Sequence, residues 1–293
     1  MDIATRVRDL SIWKGDVRIE PLKGGVSNAS FTVVDAVGKY VARVGQDYPF
    51  HQVSRSREAI ASRAAFAAGL SPEVLRVEDG LMVVRFIEAR TFAEVDVQEN
   101  WQACVDIVAR CHRDMGSRIR GQGAIFWVFQ ILRDYAATLH AASHSRSAEI
   151  PRWMKIVDTL EAAQVPLPII FGHHDLLPSN FMDDGKRLWL IDWEYGAFGT
   201  AMFDLANIAA ANSFNENIET AMLEHYFGKA QDLATTRAFF AMKVAAALRE
   251  AMWGMVSELH LNAPGVDYAQ YACEYLGRFE VIYKNYQQRF GFK

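Results

Sequence analysis

The chain has 293 residues, 51% hydrophobic and 23% charged, with a formal net charge of −4. That is enough apolar material for one large domain or two lobes, and the acidic balance argues against nucleic acid or an anionic membrane as the main partner. Three cysteines, Cys104, Cys111 and Cys273, are odd in number and lack a CxxC spacing, so neither a disulfide framework nor a zinc site is indicated. MDIATRVRDL has no secretory-signal pattern, and Lys243 breaks the alanine-rich FFAMKVAAAL below spanning length, so the cytoplasm is the expected compartment.

Residues 1–12 suit a short amphipathic helix. Val17 to Leu22, Phe31 to Val34 and Tyr40 to Val44 read as three strands joined by Gly-containing turns, an antiparallel meander. The first turn, KGGVSN, lacks the standard phosphate-loop spacings. Its Gly24 and Gly25 nevertheless let backbone N–H groups approach an anion, and Ser27 and Asn28 add side-chain donors. Arg43 stands mid-strand between Ala42 and Val44, which makes it either a solvent-facing cation or a working one. Ser54 to Gly69 reads as a helix with an apolar stripe through Ile60, Ala64 and Ala67 and with Glu58 as its only acid. Val74 to Glu78 and Leu81 to Ile87 frame an Asp79-Gly80 turn, which completes five strands. The expected boundary follows, with residues 1–88 as a small lobe and 89–293 as a larger, mainly helical one.

Helices are expected over 99–116, 127–142, 151–163, 201–211, 216–228, 233–260 and 267–290. His112 reads as a satisfied core histidine. The serine-rich 142–150 reads as a surface loop in which His144 has no visible partner.

Between these helices lies IIFGHHDLLPSNFMDDGKRLWLIDWE, residues 169–194. Two apolar runs flank Asp183-Asp184-Gly185-Lys186, the signal of a β-hairpin. Asn180 and Asp192 are each six positions from Lys186, so a hairpin symmetric about that residue sets them opposite each other. Asp175 precedes Asn180 by five, on a loop stiffened by Pro178. Two oxygen ligands suit Mg²⁺, which prefers few protein oxygens together with waters and phosphates. A free carboxylate beside them can take a proton from a hydroxyl. This is the equipment of phosphoryl transfer. Asp183 and Asp184 are ordinary turn acids. If the second strand continues, Glu194 shares a face with Asp192 and can attract a cation. Tyr195 and Trp253 are candidate walls, since an aromatic face holds an ammonium with up to about 2 kcal/mol when desolvated.

HxDxxxxN followed by IDWE, and then YGAFGTAMFDLAN, resembles the catalytic segment of the choline and ethanolamine kinases. These belong to the aminoglycoside phosphotransferase-like, protein-kinase-like superfamily. The resemblance implies a bilobal α+β protein-kinase-like fold and an ATP- and Mg²⁺-dependent kinase of a small hydroxylated amine. By the same resemblance, Asp175 is the catalytic base, and Asn180 and Asp192 hold the metal. Gly24, Gly25, Ser27 and Asn28 cover the nucleotide phosphates, and Arg43 clamps them, paired with Glu58. Glu194, Tyr195 and Trp253 receive the amine, while His173 and Asp204 support the catalytic loop. The AMWGM segment around Trp253 resembles a WGLW segment that lines the choline pocket, but Val256 stands where the second tryptophan is expected. That departure keeps other acceptors open, such as thiamine, an aminoglycoside or an amino sugar. A third reading is a nucleotide-binding pseudokinase acting as an interaction module.

Overall fold

The computed structural model describes residues 3–22 and 29–291. Gly24, Gly25, Ser27 and Asn28, the expected phosphate loop, lie outside these residues.

The N-terminal lobe opens with α1 (Ile3–Arg8) and continues through β1 (Arg18–Leu22), β2 (Ala29–Val34) and β3 (Lys39–Val44). Then come α2 (Arg55–Ala67), β4 (Val74–Glu78) and β5 (Leu81–Arg85). The five strands form one sheet in the order β1-β2-β3-β5-β4 with antiparallel neighbours. Alternation puts Val33, Ala42, Leu81 and Val83 on one face, where they close a small core with Val7 and Leu10. Gly80 turns β4 into β5 at φ +64°, and a Cβ there would meet the Gly45 carbonyl oxygen at 2.5 Å. Only glycine fits that turn.

The buried face of α2 differs from the expected stripe. Glu58, Ala61 and Ala65 are buried, whereas Ala67 is exposed. Small alanines allow close approach, and Ala61, Ala64 and Ala65 pack into the core of the other lobe. The helix is thus rotated to bring Glu58 inward.

The C-terminal lobe contains β6 (Arg90–Thr91), α3 (Glu94–Glu99), α4 (Trp101–Asp114), α5 (Val128–Ala141) and α6 (Ile150–Ala162). It continues through β7 (Ile169–Gly172), β8 (Phe181–Asp183), β9 (Leu188–Leu190) and β10 (Ala197–Thr200). It ends with α7 (Ala201–Ala211), α8 (Glu216–Phe227), α9 (Leu233–His260) and α10 (Tyr268–Phe290). The helix expected over 99–116 is α4, and the short α3, separated from it at Asn100, precedes it without having been expected. A helix apolar all round belongs inside, and α9 is buried from Val244 to Ser257 without interruption. At Gly254 a Cβ would meet the Tyr271 ring at 2.9 Å and the Ala272 Cβ at 3.0 Å, so this glycine sets the close crossing of α9 and α10. His144 is buried and pairs with Glu258 at 3.3 Å; it is not an unpartnered loop residue. Among the described residues, no helix is long and apolar enough to cross a membrane.

The turn after α2 joins the lobes. Leu190 N donates to Leu70 O at 3.0 Å, Trp193 Nε1 donates to Ser71 Oγ at 2.7 Å, and Ser71 Oγ donates to the Leu190 carbonyl. A groove of about 500 Å³ is lined by Phe66, Arg85, Phe86, Arg187 and Trp189. None of Asp175, Asn180 and Asp192 lines it.

Candidate active site

The β8–β9 hairpin corrects one expectation. Its pairs are Phe181 with Leu190, Met182 with Trp189 and Asp183 with Leu188, so it turns about the Gly185–Lys186 bond. Asn180 therefore faces Ile191, whose N–H it accepts at 3.0 Å, rather than Asp192. The turn is the cause. Asp184 accepts from Lys186 N, Arg187 N and Trp189 Nε1, and so holds a four-residue connection. Asp192 nevertheless acts electrostatically on Asp175. Its backbone leaves the strand in the left-handed region, φ +66°, which re-aims the side chain. The strand stops at Leu190, so strand alternation does not relate Asp192 to Glu194.

Asn180 closes the short 3₁₀ turn Pro178–Asn180. Its Nδ2 donates to the Asp175 backbone oxygen at 2.7 Å and to Asp175 Oδ2 at 3.2 Å. The amide oxygen is thereby turned away from Asp175. Burial first, then Glu250, pushes the Asp175 carboxyl well above the usual range, while Arg249 opposes the shift. Raising a carboxyl makes its ionised form a stronger proton acceptor.

Arg43 bridges from the sheet to this loop. Its Nη2 lies 2.7 Å from Asp192 Oδ1, and its Nη1 lies 3.1 Å from Glu58 Oε1. Burial raises the Asp192 carboxyl, but Arg43 outweighs it and holds the group below its ordinary value. With Arg43 on Oδ1, Asp192 keeps Oδ2 for another partner. The Asn180 amide oxygen and this carboxylate oxygen are both hard donors and fit Mg²⁺. Among the described residues, no group of three or more His, Cys, Asp or Glu makes a full cage. A two-donor set therefore suits a cation that takes its remaining ligands from phosphate and water.

Arg55 was not singled out from the sequence. It sits 2.6 Å from Glu58 Oε2 and 2.9 Å from Glu194 Oε2. The signal available was its i,i+3 spacing to Glu58 on α2. Glu194 is thus held by a cation of the small lobe. Burial, then Asp192, raises it to about 7, with Arg55 opposing.

Behind the loop, Asp204 has no exposed surface. Its Oδ2 accepts from His173 N at 2.8 Å, and its Oδ1 accepts from His174 N at 2.7 Å. The His112 Nε2 lies 2.8 Å from Oδ2. Burial works against this carboxylate, but the surrounding histidines, His174 first, hold it below its usual range. His173 Nε2 donates to Ile191 O at 2.8 Å, which ties the loop to the hairpin end. Asn207 Oδ1 accepts from Leu176 N at 2.5 Å, one turn along α7 from Asp204. His174 takes φ +62°, its ring stacked on Phe126 at 4.3 Å and 3°.

Trp253 Nε1 donates to Tyr195 OH at 2.9 Å. One face of Trp253 stacks on His51 at 5.0 Å and 19°, and Tyr271 stands 5.5 Å away. His51 Nδ1 lies 3.0 Å from Tyr135 OH, and its Nε2 lies 2.9 Å from Ser257 Oγ. The Arg249 guanidinium lies over the Tyr195 ring at 4.4 Å. Its Nη1 donates to Glu250 Oε2 at 2.8 Å, while Tyr271 OH donates to Glu250 Oε1 at 2.5 Å. A charged Arg-Glu pair inside AAALREAMWG was the sequence signal for these two residues, and it went unread.

Residues 19–241 match the family model described as choline/ethanolamine kinase. Protein LicA of Haemophilus influenzae is 24% identical over 273 residues, covering 89% of this chain and 78% of that protein. A probable ethanolamine kinase of Arabidopsis thaliana is 26% identical, covering 92% of this chain and 79% of that protein. The crystal structure of a choline/ethanolamine kinase family protein from Mesorhizobium loti superposes with a TM-score of 0.75. It is 27% identical, and the match spans 96% of this chain and 95% of the other.

Proposed function

The chain belongs to the choline/ethanolamine kinase family, and from that premise we propose that it transfers the γ-phosphoryl group of ATP, with Mg²⁺, to the hydroxyl of a small amine alcohol. The observation that carries this reading is Asp175 held by the Asn180 amide while Asp192 meets Arg43 from the opposite lobe. Asp175 orients the acceptor hydroxyl and takes its proton. Asn180 and Asp192 would hold Mg²⁺ through their side-chain oxygens, and the cation would supply positive charge to offset that of the phosphates. Arg43, kept in place by Glu58, directs positive charge toward the nucleotide phosphates. Gly24, Gly25, Ser27 and Asn28 complete the phosphate contacts. Tyr195 and Trp253 stand at the acceptor end. The charge that acts most strongly on Asp175 is that of Glu250, ahead of Glu194. Both carboxylates are paired with an arginine, Glu194 with Arg55 and Glu250 with Arg249, and either can offer its charge to the amine.

Choline and ethanolamine stand first as acceptors. The test is ADP release with Mg-ATP and each of choline, ethanolamine, thiamine and 3,3-dimethylbutan-1-ol, the neutral alcohol of choline's shape. Acceptor-dependent release that Asp175→Asn abolishes supports the kinase reading and excludes a pseudokinase. Absence of acceptor-dependent release overturns it. Equal use of the neutral alcohol and choline removes the cationic-acceptor part alone.

A further inference from the structure

His174 directly precedes Asp175 and has no exposed surface. Its backbone takes φ +62°, in the left-handed region that residues with a Cβ seldom adopt. The ring lies flat on Phe126, 4.3 Å away at 3°. Two glycines leave room for it beside β7 and β10. A Cβ at Gly172 would meet the His174 Nε2 at 2.6 Å, and one at Gly199 would meet it at 3.0 Å. A slot this close-fitting holds the ring in one orientation.

That orientation fixes the tautomer. Nδ1 lies 3.2 Å from the Tyr195 carbonyl oxygen, which can only accept, so Nδ1 carries the proton. Nε2 is buried without a hydrogen-bond partner. A second proton there would add a charge and an unpaired donor to a dry site, and burial accordingly lowers the ring to about 4. His174 is a neutral ring with a single donor, and that donor is directed at Tyr195.

Tyr195 is thus held at two points. His174 takes its carbonyl, and Trp253 Nε1 donates to its hydroxyl at 2.9 Å. The His174 backbone is itself held, since its N–H donates to Asp204 Oδ1 at 2.7 Å. One side chain therefore ties the loop that carries Asp175 to a segment 21 positions further along, where Tyr195 stands at the acceptor end.

We infer that His174 is a positioning residue for the transfer: its Nδ1–H bond to the Tyr195 carbonyl sets Tyr195 and Trp253 relative to Asp175. This rests on the reading of Asp175 as the base at the acceptor hydroxyl, and it adds to that reading the contact that aligns the acceptor end with the base.

Two substitutions separate the hydrogen bond from the packing of the ring. His174→Asn and His174→Gly both tolerate the left-handed backbone, and both lose the stack on Phe126. The asparagine amide nitrogen comes close to the place of Nδ1 and can donate to the Tyr195 carbonyl, whereas glycine has no donor. The assay uses Mg-ATP and whichever of choline and ethanolamine the wild type uses better. His174→Gly lowers kcat/KM for the acceptor by about 10-fold or more, while the KM for ATP stays within about twofold. His174→Asn recovers the acceptor kcat/KM to within about threefold of wild type. A loss as large in His174→Asn as in His174→Gly, or no loss in His174→Gly, overturns the inference and leaves the kinase reading standing. So does a KM for ATP that rises in step with the loss for the acceptor, since that reports a general distortion. The wild-type protein supplies a measurement that does not depend on how the variants fold. NMR of the imidazole nitrogens, assigned through the backbone, shows the His174 proton on Nδ1 at neutral pH. A proton on Nε2 overturns the inference. A wild type without acceptor-dependent ADP release overturns the kinase reading, and this inference with it.

Discussion

Removing the Asp204 carboxylate separates its bracing role from chemistry. The side chain is fully buried and meets three donor sites, His173 N, His174 N and His112 Nε2, at 2.7–2.8 Å. Asp204→Ala leaves these groups without an acceptor, at about 1–3 kcal/mol each for buried donors. Local relaxation trims the sum, and about 5 kcal/mol is expected, a large part of the 5–15 kcal/mol that holds an ordinary domain together. Asp204→Asn is milder. One amide oxygen can still accept from one loop N–H, and the His112 ring can exchange its tautomer toward the amide nitrogen. One loop N–H is then orphaned and the charge is lost, for about 2–3 kcal/mol. Because both loop N–H groups directly precede Asp175, kcat falls by about 10²-fold in the Asn variant, whose folded fraction stays high, while the KM for ATP changes little. Urea unfolding followed by tryptophan fluorescence measures the first quantity, and steady-state ADP release measures the second. An Ala variant within about 1 kcal/mol of wild type, with kcat unchanged, refutes the bracing argument. So does an Asn variant that costs more than Ala.

Asp192→Ala removes a phosphate-side oxygen donor and the Arg43 counter-ion together, so turnover falls below detection at ordinary Mg²⁺, whereas Asn180→Ala loses less because water can replace an amide ligand; full turnover by Asp192→Ala contradicts the site assignment. Asp175→Asn lowers kcat by about 10²-fold or more with the KM for ATP nearly unchanged; a raised KM at constant kcat moves Asp175 from proton transfer to binding. His51 bears on stability. Burial, aided by Arg249 and His260, lowers its ring from 6.5 to about 2. Between those values the unfolded chain binds a proton that the folded chain does not, so stability is full above about pH 6.5 and falls as pH drops, at about 1.4 kcal/mol per unit for this residue. In urea titrations between pH 7 and 5, His51→Gln makes that slope shallower by the same amount; an unchanged slope refutes it.

Much of the architecture is local information and was legible in the residues. The expected helices at 201–211 and 233–260 match α7 and α9 end to end, because apolar periodicity and flanking turn residues act within a few positions. The five strands of the small lobe were legible for the same reason, through alternation and Asp-Gly or Gly-containing turns. The residue types of a phosphoryl-transfer site were visible too, since Asp175, Asn180 and Asp192 stand within 18 positions of one another.

Only the tertiary structure decided how those groups meet. The hairpin register hung on hydrogen bonds to one turn carboxylate, Asp184, and a half-residue shift of its symmetry point moved Asn180 from Asp192 to Ile191. The face of α2 was set by the partners of Glu58 rather than by its apolar stripe. Arg43 meets Asp192 across 149 positions and Arg55 meets Glu194 across 139. No local periodicity reports such distances. Burial and long-range pairing are properties of the packed chain, and so are the charge states that follow from them.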